Sequence, residues 1–171
     1  MPNVEELEAV APIDTLRRAG VDVTVASLSG DLTVTGRSRI QLGADVPFAQ
    51  VASRLFDALV LPGGPGVAAL RADARVVAAV REHFKNGKLV AAICAAPTVL
   101  ADAGVLEGKR YTAHPSVAHE LRAILSAERV VEDGSVITSR GAGTAVDFGL
   151  ALVRHLVSPA KAHEVSAAIC A

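Results

Sequence analysis

Between Asn86-Gly87 and Gly104 the chain reads Lys88-Leu-Val-Ala-Ala-Ile-Cys94-Ala-Ala-Pro97-Thr-Val-Leu100, and few folds accommodate such a stretch. Leu89 to Ile93 is an uninterrupted apolar run, the pattern of a strand covered on both faces in a parallel sheet. The residues after Cys94 are small. Pro97 suits a first helical turn, where no amide donor is needed, and Gly104 supplies a stop. Cys94 therefore falls where a buried strand turns sharply into a helix. Backbone amides and the positive helix end favour a thiolate there, and such elbows present nucleophiles in α/β enzymes. A free cysteine is equally at home as a small buried hydrophobe. On this stretch alone both roles stand.

The flanking sequence repeats the alternation of strand and helix. Val4 to Ala19 carries apolar residues at helical spacing and stops at Gly20, with Pro12 expected to kink or divide it. Val21 to Ala26 alternates as a strand, and Ser29 to Gly36 reads as a turn or short hairpin before an extended Arg39 to Leu42. Asp57 to Leu61 is an apolar strand running into Pro62-Gly63-Gly64-Pro65-Gly66, and Asp73 caps a helix through Phe84. Lys109 to Ala113 is read as a strand leading to His114-Pro115, with a helix from Ser116 to Leu121. Arg129–Glu132 and Ser135–Thr138 flank Asp133-Gly134 as a hairpin, and helices are expected over 145–156 and 159–169. The expected fold is an α/β sandwich around a largely parallel sheet, in a single domain covering residues 1–171.

Composition narrows the function. Aromatics are 3% with no Trp, and net charge is −1 without a basic block. Neither stacking platforms for single strands nor a phosphate-binding face is present, so there is no nucleic-acid signal. The acidic start Met1-Pro-Asn-Val-Glu-Glu lacks the form of a secretory signal, and no apolar run reaches the roughly eighteen residues of a membrane span. A cytoplasmic location is expected. Cys94 and Cys170 are the only cysteines, too few for a disulfide framework. Gly141-Ala-Gly143 lacks the third glycine of a dinucleotide loop, with Val146 in its place. His83, His119, His155 and His163 show no metal-ligand spacing and read as surface residues, so neither metal nor cofactor is implied.

Ligands of parallel sheets sit beyond the carboxyl ends of the strands. The Gly63-Gly64 loop, Cys94 and His114 each follow a strand to that edge, and Glu5, Glu6 and Glu8 lie in a helical turn starting there. Taken singly, the glutamates are a solvated helix start and His114 a turn residue. Together they offer a thiol a proton carrier and amides for an oxyanion.

Five motifs in order carry a family resemblance: Glu5-Glu-Leu-Glu8 through Arg17-Arg-Ala-Gly20, Leu61-Pro-Gly-Gly64, Ala91-Ala-Ile-Cys94-Ala-Ala-Pro97, Thr112-Ala-His114-Pro115 and Thr138-Ser-Arg140-Gly-Ala-Gly-Thr144. The chain resembles the ThiJ/PfpI superfamily, in the branch of the parkinsonism-associated protein deglycase and its bacterial relatives. The resemblance implies a flavodoxin-like fold and a homodimer, with Cys94 as nucleophile, Glu8 as its carboxyl partner and His114 in the pocket. Gly63, Gly64 and Ala95 would line the oxyanion side, with Arg140 in the substrate pocket. Arg37 and Arg39 both remain candidates for a further pocket arginine. Family members open with an apolar strand before the first helix. Here only Met1-Pro2-Asn3 precede it, so that strand is expected to be lacking and a Val/Ile/Leu-rich segment is expected upstream. Without it the sheet should be marginally stable.

The resemblance further implies a stress-protective glyoxalase or deglycase, independent of any cofactor, acting on methylglyoxal-type α-oxoaldehydes or early glycation adducts. A redox-sensing stress protein or chaperone that oxidises Cys94 uses the same residues. An intracellular cysteine peptidase of the PfpI type is the third reading, weakened because Ala95 stands where that branch carries histidine. The helix end and Glu8 together lead us to expect a Cys94 thiol that titrates below the free value of about 8.5.

Overall fold

The computed structural model describes residues 1–171. In chain order its elements are α1 (Glu6–Arg18), β1 (Ala26–Ser27), β2 (Thr33–Thr35), β3 (Gln41–Gly43), β4 (Val46–Pro47), β5 (Ala58–Leu61), α2 (Val67–Ala72) and α3 (Ala74–Lys85). Then come β6 (Leu89–Ile93), α4 (Pro97–Asp102), β7 (Val130–Asp133), β8 (Val136–Ser139), α5 (Ala145–Leu156) and α6 (Pro159–Ala168). The main sheet has the order β5–β6–β8–β7, with β5, β6 and β8 parallel and β7 an antiparallel edge. The flavodoxin-like α/β sandwich expected from the sequence is the observed fold.

β6 is the centre of the core, and every one of its residues is at most 2% exposed. Its side chains alternate between two apolar layers, as a pleated strand requires. Val90 and Ala92 pack with Val80, Val99 and Leu100 on the side of α3 and α4. Leu89, Ala91 and Ile93 pack with Leu16, Phe148 and Leu152 on the side of α1 and α5.

Several boundaries differ from the sequence reading. Pro12 does not divide α1, which runs unbroken from its Glu5 cap and ends before Gly20 at φ 83°. Of the expected Val21–Ala26 strand only Ala26 pairs as strand, continuing into Ser27 against β4. No strand pairs with the outer edge of β5, so β1–β4 stays separate from the main sheet. The expected strand at Lys109–Ala113 is absent apart from a bridge between Tyr111 and Ile124. The segment is held by side chains instead of a ladder: the Arg110 N–H donates to Asp133 Oδ2 at 3.0 Å and the Thr112 N–H to Thr138 Oγ1 at 2.9 Å. The helix expected from Ser116 is only a 3-10 turn over Pro115–Val117. α2 is an element that periodicity missed. His83, read as a surface residue, is 2% exposed: its Nε2 accepts the Phe56 N–H at 3.1 Å and its Nδ1 lies 2.7 Å from the Ala79 carbonyl.

Candidate active site

The elbow at Cys94 follows from the two segments it joins. β6 delivers the residue to the carboxyl edge of the sheet, and α4 begins at Pro97 after a tight turn. The Cys94 N–H donates to the Ser139 carbonyl at 2.9 Å, and the Cys94 carbonyl accepts the His114 N–H at 2.8 Å. Held at both ends, Cys94 adopts φ 66°, a left-handed conformation costing a side-chain-bearing residue about 1–2 kcal/mol. Strain of this kind persists where surrounding contacts over-determine the backbone. The side chain is half-buried.

Glu8 meets this thiol from above. It lies in the first turns of α1, is 1% exposed, and accepts the Gly63 N–H on Oε2 at 2.9 Å. Its carboxyl group also shares a hydrogen bond with the Cys94 thiol. Gly63 makes the approach possible, because a Cβ there would lie 2.5 Å from Glu8 Oε2 and 2.6 Å from Cys94 Cβ. The N-terminal segment is tied to the same loop by the Glu5 N–H, which donates to the Gly63 carbonyl at 3.0 Å. Glu5 caps α1 by accepting the Glu8 N–H at 3.0 Å.

Burial dominates the electrostatics. It pushes Glu8 from 4.5 up to about 7, with the Cys94 and Gly63 hydrogen bonds and the Arg37 charge pulling the other way. Burial, then the Glu8 charge, push the Cys94 thiol up to about 12. The expectation of a low-titrating thiol is therefore reversed: desolvation and a neighbouring carboxylate outweigh the helix end. The N–H groups of Gly64 and Ala95 hydrogen-bond the sulfur and act in the favourable direction, but are the smaller effect. Thiol and carboxyl form one coupled unit that releases its first proton near 7 and its second far higher.

The other expected residues divide. Ala95 and Gly64 face the sulfur through their amides. The Gly63 amide is committed to Glu8 and is not a free oxyanion donor, which corrects its expected role. His114 is exposed, and its Nδ1 accepts the Ser116 N–H at 3.2 Å, which leaves the ring proton on Nε2. A Cβ on Gly141 would lie 3.4 Å from His114 Cδ2 and 4.0 Å from Glu8 Oε1, so ring and carboxyl flank the same glycine. The Arg140 side chain is exposed and hydrogen-bonds none of Glu8, Cys94 and His114; its backbone N–H donates to the Arg129 carbonyl. Of the two candidate arginines, Arg37 is the one whose charge acts on Glu8. No group of three His, Cys, Asp or Glu side chains converges as a metal ion would need.

Two supports were given no role by the sequence reading. Glu6 is 5% exposed and its Oε1 accepts the Ser38 N–H at 2.8 Å, pinning the loop that carries Arg37. Ser139 and Thr144 join hydroxyls at 2.7 Å, and Thr144 Oγ1 accepts the Gly141 N–H at 3.1 Å. The Thr138–Thr144 motif marked that second support, but nothing local distinguished Glu6 from a solvated helix residue.

Comparison with known proteins bears on this geometry. A family model described as the DJ-1/PfpI family matches residues 1–155. Protein dj-1beta of Drosophila melanogaster is 43% identical over 169 residues, covering 96% of this chain and 90% of that protein. Its crystal structure superposes with a TM-score of 0.94 over 99% of this chain and 93% of its own. Oxidized Toxoplasma gondii DJ-1 is 33% identical, with a TM-score of 0.93 over 99% of this chain and 94% of its own. Deglycase PH1704 of Pyrococcus horikoshii is 36% identical over 140 residues, 80% of this chain and 83% of that protein.

Proposed function

Because this chain belongs to the DJ-1/PfpI family, we propose that it is a cofactor-independent enzyme that converts methylglyoxal-type α-oxoaldehydes to 2-hydroxy acids through Cys94. The observation that carries the reading is the buried Glu8 carboxyl, raised to about 7 and hydrogen-bonded to a thiol at a strained elbow. A carboxyl group poised near neutrality can both give and take a proton.

Loss of one proton leaves the charge on Glu8, and the reactive form is the minor tautomer in which that carboxylate has taken the Cys94 proton, a thiolate beside protonated Glu8. Sulfur attacks the aldehyde carbon, forming the C–S bond, while the aldehyde oxygen takes the Glu8 proton to give a hemithioacetal. The Glu8 carboxylate then removes the hydrogen from that carbon, and the electron pair passes through an enediol. Return of the proton to the adjacent carbon leaves a 2-hydroxyacyl thioester on Cys94. Water hydrolyses it, releasing lactate from methylglyoxal and restoring the thiol. The amides of Gly64 and Ala95 beside the sulfur are the donors available to the oxyanion. His114 offers Nε2–H at the rim. Early adducts of the aldehyde with amines and thiols would be drained by the same chemistry, the deglycase reading, protective in a cytoplasm under aldehyde stress. A homodimer fits the exposed Leu7 and Val10 on α1.

The test is lactate formation from methylglyoxal by the purified protein. Cys94→Ser should abolish it, and Glu8→Gln should cut turnover by about 10²-fold or more. Wild-type turnover in Glu8→Gln would move the proton shuttle to His114. A second reading, a redox sensor, draws on the half-buried, reachable Cys94 and on the oxidized state of the Toxoplasma relative. Selective conversion of Cys94 to sulfinate by dilute peroxide, without aldehyde turnover, would select it. A peptidase is not favoured, because the group hydrogen-bonded to Cys94 is a carboxyl rather than an imidazole.

A further inference from the structure

Two glycines bracket the Glu8 carboxyl, and they leave it unequal room. On the Oε2 side a Cβ at Gly63 would lie 2.5 Å from the oxygen, 2.6 Å from Cys94 Cβ and 2.9 Å from the Ile93 carbonyl. Nothing larger than hydrogen fits there. On the Oε1 side a Cβ at Gly141 would meet only two atoms within 4 Å, His114 Cδ2 at 3.4 Å and Glu8 Oε1 at 4.0 Å. Gly141 is itself buried, so this space is a recess in the wall of the site. Building on the aldehyde chemistry above, we propose that the recess over Gly141 receives the group carried by the atom next to the one Cys94 attacks. In a 2-oxoaldehyde that group is the substituent of the second carbon, and Gly141 is the residue that lets the site accept substituted substrates.

The placement follows from which oxygen has room. Sulfur bonds to the aldehyde carbon, and Glu8 then carries a proton from that carbon to its neighbour, so both carbons must lie beside one carboxyl group. Oε2 is engaged by the Gly63 N–H at 2.9 Å and closed in by the contacts of that glycine. Oε1 is left to face the second carbon, and the group that carbon bears then lies over Gly141.

The walls of the recess are fixed by hydrogen bonds. The Gly141 N–H donates to Thr144 Oγ1 at 3.1 Å, and the Gly141 carbonyl accepts the Thr144 N–H at 2.8 Å. The facing His114 is set by its own N–H on the Cys94 carbonyl at 2.8 Å and by the Ser116 N–H on its Nδ1 at 3.2 Å. Gly141 has φ 162° and ψ −173°, extended backbone that any residue adopts. Gly141→Ala therefore adds a methyl group to the recess without straining the chain, at ordinary contact distance from both neighbours.

The test compares wild type, Gly141→Ala and Gly143→Ala, the last a control in the same loop where a Cβ would touch nothing within 4 Å. kcat/KM is measured for glyoxal, whose second carbon bears no carbon substituent, and for methylglyoxal. Gly141→Ala should lower the ratio of methylglyoxal to glyoxal by at least about tenfold, the discrimination that one methyl-sized misfit supports, and Gly143→Ala should leave it unchanged. A second readout needs no turnover. Cys94 is labelled with methyl and with benzyl methanethiosulfonate, and its modification is quantified against that of Cys170 by peptide mass spectrometry. Gly141→Ala should slow the benzyl label at Cys94 by at least about tenfold relative to the methyl label. Equal losses for both aldehydes would make Gly141 a general support of His114 and Glu8 and overturn the proposal, as would an unchanged labelling ratio. A shifted labelling ratio in a protein that turns over neither aldehyde would sustain the recess and refute the aldehyde reaction instead.

Discussion

The raised carboxyl of Glu8 makes a prediction about stability that needs no substrate. Its folded value of about 7 stands well above the ordinary 4.5, chiefly because burial penalises the charge. Below 4.5 the group is protonated in both folded and unfolded chains, and its contribution is fully present. As pH rises toward 7 the unfolded chain releases the proton while the folded chain keeps it, so stability falls through that window. A displacement of this size amounts to about 3 kcal/mol, since each pH unit is worth 1.36 kcal/mol. Glu8→Gln removes the titration but keeps a side chain able to accept the Gly63 N–H. The assay is denaturant unfolding of wild type and Glu8→Gln at intervals from pH 4 to pH 8. The depressed carboxyls of Asp57, Asp73 and Asp133 cancel in the difference, because the substitution leaves them in place. Wild type should lose about 3 kcal/mol relative to the variant between 4.5 and 7, so the variant gains ground at neutral pH. A difference that stays flat with pH would refute a buried, raised carboxyl. A difference of opposite slope would mean that hydrogen bonds to the carboxylate outweigh its desolvation.

Three further outcomes test the scaffold of the site. Gly63→Ala places a methyl group 2.9 Å from the Ile93 carbonyl as well as against Glu8 and Cys94, so it should cost about 1–3 kcal/mol and, by parting the pair, about 10²-fold in turnover. Unfolding and lactate assays read the two effects separately. Thr144→Val keeps the shape but strands the Gly141 N–H, while Ser139 keeps its bond to the Arg129 carbonyl, and this should cost about 1–3 kcal/mol by denaturant titration. At φ 66°, Cys94→Gly should be more stable than Cys94→Ala by about 1 kcal/mol, and equal stabilities would argue that the elbow is unstrained.

The site was legible where its chemistry is local. Cys94 was found because an apolar run ends in small residues and a proline. Gly63 and Gly64 were found because a glycine loop follows a strand, and His114 because it follows a third extended segment. That segment turned out not to be a strand. His114 reaches the site through its N–H to the Cys94 carbonyl instead. Among Glu5, Glu6 and Glu8 the sequence offered three similar carboxyls; the fold gave them a helix cap, a loop anchor and the thiol's partner respectively.

What the sequence determined by itself is the set of elements that depend on short-range rules. The buried strand at Leu89–Ile93, the hairpin around Asp133-Gly134, and the helices at 74–85, 145–156 and 159–168 all follow from periodicity and end signals read within a few residues. Tertiary structure decided what depends on a neighbour far along the chain. Val21–Val25 has a strand's alternation, but a strand is defined by pairing, and the edge facing β5 pairs with nothing. His83 carries a polar ring that looks solvent-bound until the Phe56 amide is folded against it. Cys94 has the helix end that lowers a thiol, yet the fold buries it beside a carboxyl drawn from eighty-six positions earlier in the chain. Desolvation and charge act through space, so their sign could be read only once the fold had brought Glu8 to the sulfur.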